Sequence, residues 1–333
     1  MPSTQTGTGW RSTGTNTIDR FSVISRVLEG PFFMLKIAWT ESYVLPLPPN
    51  HRFPMSKYEI LPQQLLHEGT IRAENLFHPS PIEKHWILRT HEESYWNKLE
   101  NLALSPYEIR RTGFPLTRDV VTRELTIVNG TLLCTRYALE HGIAMNIAGG
   151  THHAFTNKGE GFCLLNDIAI AAHYLIDKNL ASKILVIDLD VHQGNGTAQI
   201  FRNESRVFTF SMHGTNNYPL VKESSDLDVG LPDYTSDTFY LQTLDSSLKN
   251  IFDQVEPDFI FYQCGVDILD TDKLGKLSVS REGCKRRDRL VLEAAYKNKI
   301  PLVASMGGGY SPDFRDVIEA HANTYRLAQE IFF

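Results

Sequence analysis

The chain has 333 residues, 42% of them hydrophobic, enough to bury a large core as one big α/β domain or two smaller ones. Its net charge of −6, with no strongly basic stretch, excludes nucleic acid as an expected partner. No apolar run approaches the ~20 residues that span a bilayer, so no membrane partner is expected either. Four cysteines, Cys134, Cys163, Cys264 and Cys284, lack CxxC spacing, which argues against a disulfide scaffold or a cysteine zinc knuckle. That usage suits a reducing, cytoplasmic or nuclear, compartment.

Residues 1–33 are rich in Ser, Thr and Gly and carry Arg11, Arg20 and Arg26 against Asp19 and Glu29. Such an acid-poor leader can be an organelle transit peptide. A disordered tail, or an extension upstream of Met34, is the preferred reading, because Leu35-Lys-Ile-Ala-Trp39 looks like a first strand. Residues 34–333 are then expected to form one domain.

Past residue 34, apolar runs alternate with helical patterns, the signature of a parallel sheet covered on both faces. Strands are predicted over 144–147, 184–189, 207–211, 259–263 and 302–305, and helices over 164–176, 238–255, 281–298 and 313–330. Ser236 and Asp237 are the candidate caps of the second helix, which stops before Pro257. Each of the five strands runs straight into polar or glycine-rich sequence: Gly149-Gly-Thr-His-His153, Asp190-Val-His192, Met212-His-Gly214, Gly265-Val-Asp267 and Gly307-Gly-Gly-Tyr310. Ligands of open parallel α/β sheets bind beyond the carboxyl ends of the strands. Five distant segments should therefore meet in one cleft.

Side chains alternate along a strand, so Asp188, Asp190 and His192 should point the same way. Asp190, His192 and Asp267 make a two-carboxylate, one-imidazole set with a coordination position left open, the ligand count of a catalytic zinc site. Asp188 sits one step deeper as an acceptor behind the ligands. A lone Asp or His after a strand is usually a cap or turn residue, but three in register are harder to explain that way. His152-His153 suits a general base with a charge-tuning partner, although two turn histidines can adjoin by accident. Gly307-Gly-Gly-Tyr310 lacks the Lys and Ser/Thr of a phosphate loop and instead can present the Tyr310 hydroxyl to a developing oxyanion. The plain alternative is a glycine turn with a packing tyrosine.

Taken together, Gly150-Thr-His-His-Ala154, Gly161-Phe-Cys-Leu-Leu-Asn-Asp167, Asp188-Leu-Asp-Val-His-Gln-Gly-Asn-Gly196, Gly265-Val-Asp-Ile-Leu-Asp270 and Gly307-Gly-Gly-Tyr310 resemble the histone deacetylase superfamily. Asp-x-His-Gln-Gly-Asn-Gly and the segment Asp272-Lys-Leu-Gly-Lys-Leu-Ser-Val-Ser280 are most similar to its class IV branch and related bacterial deacetylases. The resemblance implies a single arginase-like α/β domain with a central parallel sheet of about eight strands, helices on both faces, and zinc-dependent hydrolysis of an acyl-lysine amide or an acylated small molecule. It implies Asp190, His192 and Asp267 as zinc ligands, His153 as general base and acid, His152 as its electrostatic partner held by Asp188, and Tyr310 as the carbonyl-polarising group. Gly161 and Phe162 resemble walls of the acyl-lysine tunnel, and Arg52 the arginine of an internal product channel. A structural potassium or sodium ion is implied near Asp188, Ser211 and the backbone of Asp190, His192 and Met212.

The chain departs from the family pattern in two places. Asn195 stands where many members have an aspartate, so it should orient His153 without stabilising its protonated form. The rim aspartate that grips the substrate backbone in some members has no counterpart. Two other readings compete. Asp188-Leu-Asp-Val191 also resembles the nucleophile loop of magnesium-dependent haloacid dehalogenase phosphohydrolases, which leaves His192, the His pair and Tyr310 idle. A non-catalytic acyl-lysine scaffold would more often have lost a ligand or the tyrosine.

Overall fold

A computed structural model describes residues 33–333; the expectations for the leader lie outside the described residues, Phe33 excepted. The first half carries β1 (Lys36–Ala38), α1 (Lys57–His67), β2 (Leu76–Phe77), α2 (Lys84–Leu88), α3 (Glu93–Glu100), α4 (Pro106–Thr112), α5 (Arg118–His141) and β3 (Ile143–Asn146). The second carries α6 (Asp167–Asp177), β4 (Ile184–Asp188), α7 (Asn195–Phe201), β5 (Val207–Gly214), β6 (Leu227–Leu231), α8 (Asp237–Val255), β7 (Phe259–Gln263), α9 (Arg281–Lys297), β8 (Leu302–Ser305) and α10 (Phe314–Phe332). The strands form one eight-stranded sheet in the order β2-β1-β3-β8-β7-β4-β5-β6, parallel throughout. This is the arginase-like architecture.

β4 and β7 are buried along their whole length, which is why both read as unbroken apolar runs and not as alternating ones. One transverse row of polar side chains crosses the apolar core. Asn146, Ser305, Gln263, Asp188 and Ser211 stand opposite one another across β3, β8, β7, β4 and β5. All five are buried, and polar chemistry begins there. The five strands predicted to carry functional ends are thus consecutive in the sheet, although they are not consecutive in sequence.

The boundaries differ from expectation where side chains bind locally. α6 starts at Asp167 and not at 164, because the Asn166 side chain caps it by accepting from the Ala169 N–H. Ser236 occupies the N-cap of α8 without a side-chain bond, while Asp237 accepts from the backbone and hydroxyl of Ser280 at 2.7 and 2.6 Å and so ties α8 to α9. β5 runs on to Gly214 because the edge strand β6 pairs with its second half. The longest helix, α5, has Thr117 as its cap, accepting from Val120, and stops at Gly142 with φ +85°.

Candidate active site

Asp190 and His192 lie just beyond β4, and Asp267 just beyond its neighbour β7. One ligand atom from each falls within 4.8 Å of the other two. His192 Nδ1 is 3.0 Å from Asp190 Oδ1 and 3.1 Å from Asp267 Oδ2. Backbone N–H groups fix both carboxylates: Val191 donates to Asp267 at 2.9 Å and Gly308 donates to Asp190 at 3.0 Å. Gly308 must be glycine, since a Cβ there would collide with Asp267. Burial, with Asp190 adding to it, pushes the Asp267 carboxyl up to about 7. Burial also opposes ionisation of Asp190, but His152 and His192 outweigh it and hold that group well below the usual carboxylate range. His192 rises to about 10, because bonds to the two carboxylates overcome its burial. Two buried carboxylates side by side demand positive charge, and the three convergent donors fit a divalent cation of the kind that takes N and O ligands.

The adjacent histidines are held differently. His152 Nδ1 donates to Asp188 at 2.6 Å, whereas His153 Nδ1 donates to Asn195 Oδ1 at 2.7 Å. Burial lowers His152, but Asp188 and Asp190 carry it up to about 9. His153 has no such carboxylate, so burial and the neighbouring His152 and His192 drive it well below 6.5. The ring centroids are 4.0 Å apart, and His153 is 5.9 Å from His192. Gly149 and Gly150, at φ +75° and +72°, turn the loop so that both rings reach this position; a Cβ on Gly150 would fall on the Gln263 amide. The result is one imidazole charged and one neutral at the same place, suited to holding and moving a proton.

Tyr310 closes the opposite side. Its hydroxyl is held protonated by burial, with Asp267 and Asp190 adding to the shift, so it can donate. Its ring is 6.0 Å from Phe162 and 6.4 Å from Phe53, and Phe114 lies 5.5 Å from Phe162. Gly161, at φ +59°, lies flat against His153: a Cβ there would sit 2.6 Å from the ring. On the far side Tyr218 meets His153 edge-on at 5.1 Å. Phe53, His153, Gly161, Phe162, Tyr218 and Tyr310 line a cavity of about 410 Å³ that reaches Asp190 and His192. Asp188 pairs with Ser211 across β4 and β5, and Met212 follows as a buried residue, so the sequence segments expected to hold a monovalent cation are neighbours.

Arg52 requires a correction. It lines the cavity as an exposed residue, not as an interior arginine. The buried guanidinium on the cavity wall is Arg123 of α5, which donates to the Tyr43 carbonyl at 2.7 Å and to Glu124 at 2.5 Å. The reason is local: Arg52 precedes the buried Phe53 in a turn and faces solvent, while Arg123 projects from a helix packed on the sheet.

Residues 51–325 match the histone deacetylase domain family, which is most of the chain. The chain belongs to the histone deacetylase family. It is 44% identical over 296 residues to an uncharacterised protein of Picosynechococcus sp., covering 89% of this chain and 99% of that one. To histone deacetylase 2 of Arabidopsis thaliana it is 31% identical over 301 residues, 86% of this chain and 78% of the relative. The crystal structure of a histone deacetylase homologue from Aquifex aeolicus superposes with a TM-score of 0.76 at 24% identity, covering 88% and 84% of the two chains. A second structure, of a histone deacetylase homologue complexed with SAHA, gives 0.77 at 24%, covering 89% and 84%. Family membership removes the haloacid dehalogenase reading.

Two buried side chains at the family site escaped the sequence reading. Lys57 of α1 donates to the Gly307 carbonyl at 2.8 Å, bracing the loop that presents Tyr310; burial lowers its ammonium to about 8. Glu160 accepts from Asn195 Nδ2 at 3.1 Å and is ion-paired with Arg111, so it fixes which way the Asn195 amide faces His153. A charged residue wholly inside a folded chain has no local sequence signal; only its distant partners reveal it.

Proposed function

We propose that the chain is a zinc-dependent deacylase that removes an acetyl or longer acyl group from N-acyl-lysine in a histone or another protein. The observation that carries this reading is that the His152–Asp188 and His153–Asn195 pairs, Tyr310 and the Asp190–His192–Asp267 set meet at one aromatic-walled cavity. Zinc held by those three residues would supply a Lewis acid for the amide carbonyl and for the attacking water. His153 takes the proton of the attacking water through its free Nε2, because its Nδ1–H is committed to Asn195. Tyr310 donates its O–H to the carbonyl oxygen as negative charge develops there. A protonated histidine then delivers a proton to the leaving amine, and Gly161 and Phe162 form a wall along which the acyl-lysine stem extends. The likeness to class IV members rests on Asn195 and the Asp272–Ser280 segment, and a potassium or sodium ion near Asp188 and Ser211 belongs to the same reading. An acetylpolyamine or another small amide is the alternative substrate.

The test is turnover by zinc-loaded protein on acetyl-, butyryl- and myristoyl-lysine peptides and acetylpolyamines, with Asp190→Ala as the control. We expect release of at least one acyl group by the native protein, and loss of both zinc and activity in the variant. Equal inertness of the two across the panel refutes the deacylase and favours a scaffold.

A further inference from the structure

The chain is acidic overall, at −6, yet the exposed charges on the cavity wall are all cationic. Arg52, Arg110, Arg111 and Lys276 are all exposed and all line it, and they come from three separate stretches of chain. The acidic residues on its wall, Glu124 and Asp190, are buried at depth. Two further carboxylates close to the mouth turn inward. Glu160 is buried against Asn195 and neutralises Arg111, and Asp272 accepts from the backbone N–H groups of Leu274, Gly275 and Tyr310. Asp233 reaches only the amide of Asn216, at 3.3 Å. Arg52, Arg110 and Lys276 have no ion-pair partner among the described residues.

Beside these charges stand apolar side chains that the fold leaves in water. Leu220 and Val221 are 90% and 85% exposed, directly after the Tyr218-Pro219 turn that meets His153. Tyr107 projects one helical turn from Arg110 and Arg111, and the backbone N–H of Tyr234 bonds to the carbonyl of Lys276. Lys222 ties the Leu220 turn down by donating to the Asn217 and Pro219 carbonyls. Cations and large apolar groups exposed together around a narrow opening are the surface that an oppositely charged, partly apolar chain segment would cover.

We infer that the mouth selects an acidic peptide segment around the acylated lysine, one with Asp or Glu and an apolar residue close to the modified position, and disfavours lysine-rich tails. This rests on the deacylase reading for the acyl-lysine and on the mouth alone for the charge. Lysine-rich segments would bring like charge to Arg110, Arg52 and Lys276, whereas carboxylates would be attracted and guided towards the opening.

The experiment uses the full zinc-loaded chain with peptides matched in length and acyl group, differing only in Glu, Gln or Lys at the flanking positions. Binding is read by fluorescence anisotropy and turnover by amine release. Acidic peptides should bind on the order of 10-fold more tightly than basic ones at low salt, with the difference carried by KM and shrinking as ionic strength rises. In an Arg110→Glu/Lys276→Glu double variant the order should reverse. Equal or reversed preference in the native protein, or no binding of any acidic peptide, overturns the inference. Turnover without charge preference removes the mouth and keeps the deacylase; an acidic preference in binding with no turnover of any peptide does the opposite.

Discussion

The floor and the mouth of the same cavity are built on different principles. The floor comes from the ends of five adjacent strands, where buried Asp, His and Gly residues are fixed by backbone hydrogen bonds and by collisions that only glycine avoids. The mouth comes from α4 and from the loops around residues 52, 218 and 276, where long cationic and apolar side chains stand in water. The ionisable groups of the floor are buried against one another, whereas Arg52, Arg110, Arg111 and Lys276 stand exposed. A floor of this kind determines which reaction is possible, and a mouth of this kind determines what reaches it.

Substitutions at three depths break or sharpen that contrast. At the floor, Tyr310→Phe deletes one hydroxyl and keeps the ring. Its kcat should fall by ~10²–10³ with zinc content and fold unchanged, as for loss of other oxyanion donors. Steady-state kinetics with metal analysis decides this, and near-normal rates would remove Tyr310 from the mechanism.

Beneath the floor, His91 donates to the Phe155 carbonyl and accepts from the Asn166 N–H, at 2.8 and 3.0 Å, so it must be neutral in the fold. Burial lowers it to about 4 from an ordinary 6.5. The unfolded chain therefore binds the extra proton in that window: the contribution of His91 is whole above pH 6.5 and is lost as pH falls towards 4. His91→Gln should reduce the slope of unfolding free energy against pH there by up to ~1.4 kcal/mol per pH unit. Urea unfolding at several pH values measures it, and an unchanged slope would refute the assignment.

At the mouth, Leu220→Ser removes a side chain that is 90% exposed. Stability should move by no more than ~0.5 kcal/mol, the ordinary result for a surface position. A larger loss in chemical denaturation would mean that this turn is part of the packed structure.

Much of the floor was legible because its signals are local. Asp188, Asp190 and His192 follow an apolar run at the two-residue spacing of a strand, and Gly149-Gly150 and Gly307-Gly-Gly309 mark places where backbones approach closely. The predicted strands 259–263 and 302–305 match β7 and β8. Helix α5 was not anticipated: thirteen of its 24 residues are buried, among them Arg123, Glu124 and three threonines, which blurs the amphipathic pattern. β6 was missed because an edge strand of five residues with alternating exposure carries little apolar content. Arg52 was placed inside because a sequence shows that an arginine is near a motif, not which way it faces.

The sequence alone determined the residue types of the centre, their order, and the strand ends that carry them, since alternation and glycine turns are properties of a few neighbouring residues. Tertiary structure decided the rest. It set β3, β8, β7, β4 and β5 side by side and put Lys57 under Gly307, 250 residues away. It gave His152 a carboxylate and His153 an amide, and gathered four cations from three stretches of chain at one opening. Each of these depends on contacts between segments far apart in the chain, and sequence proximity does not encode such contacts.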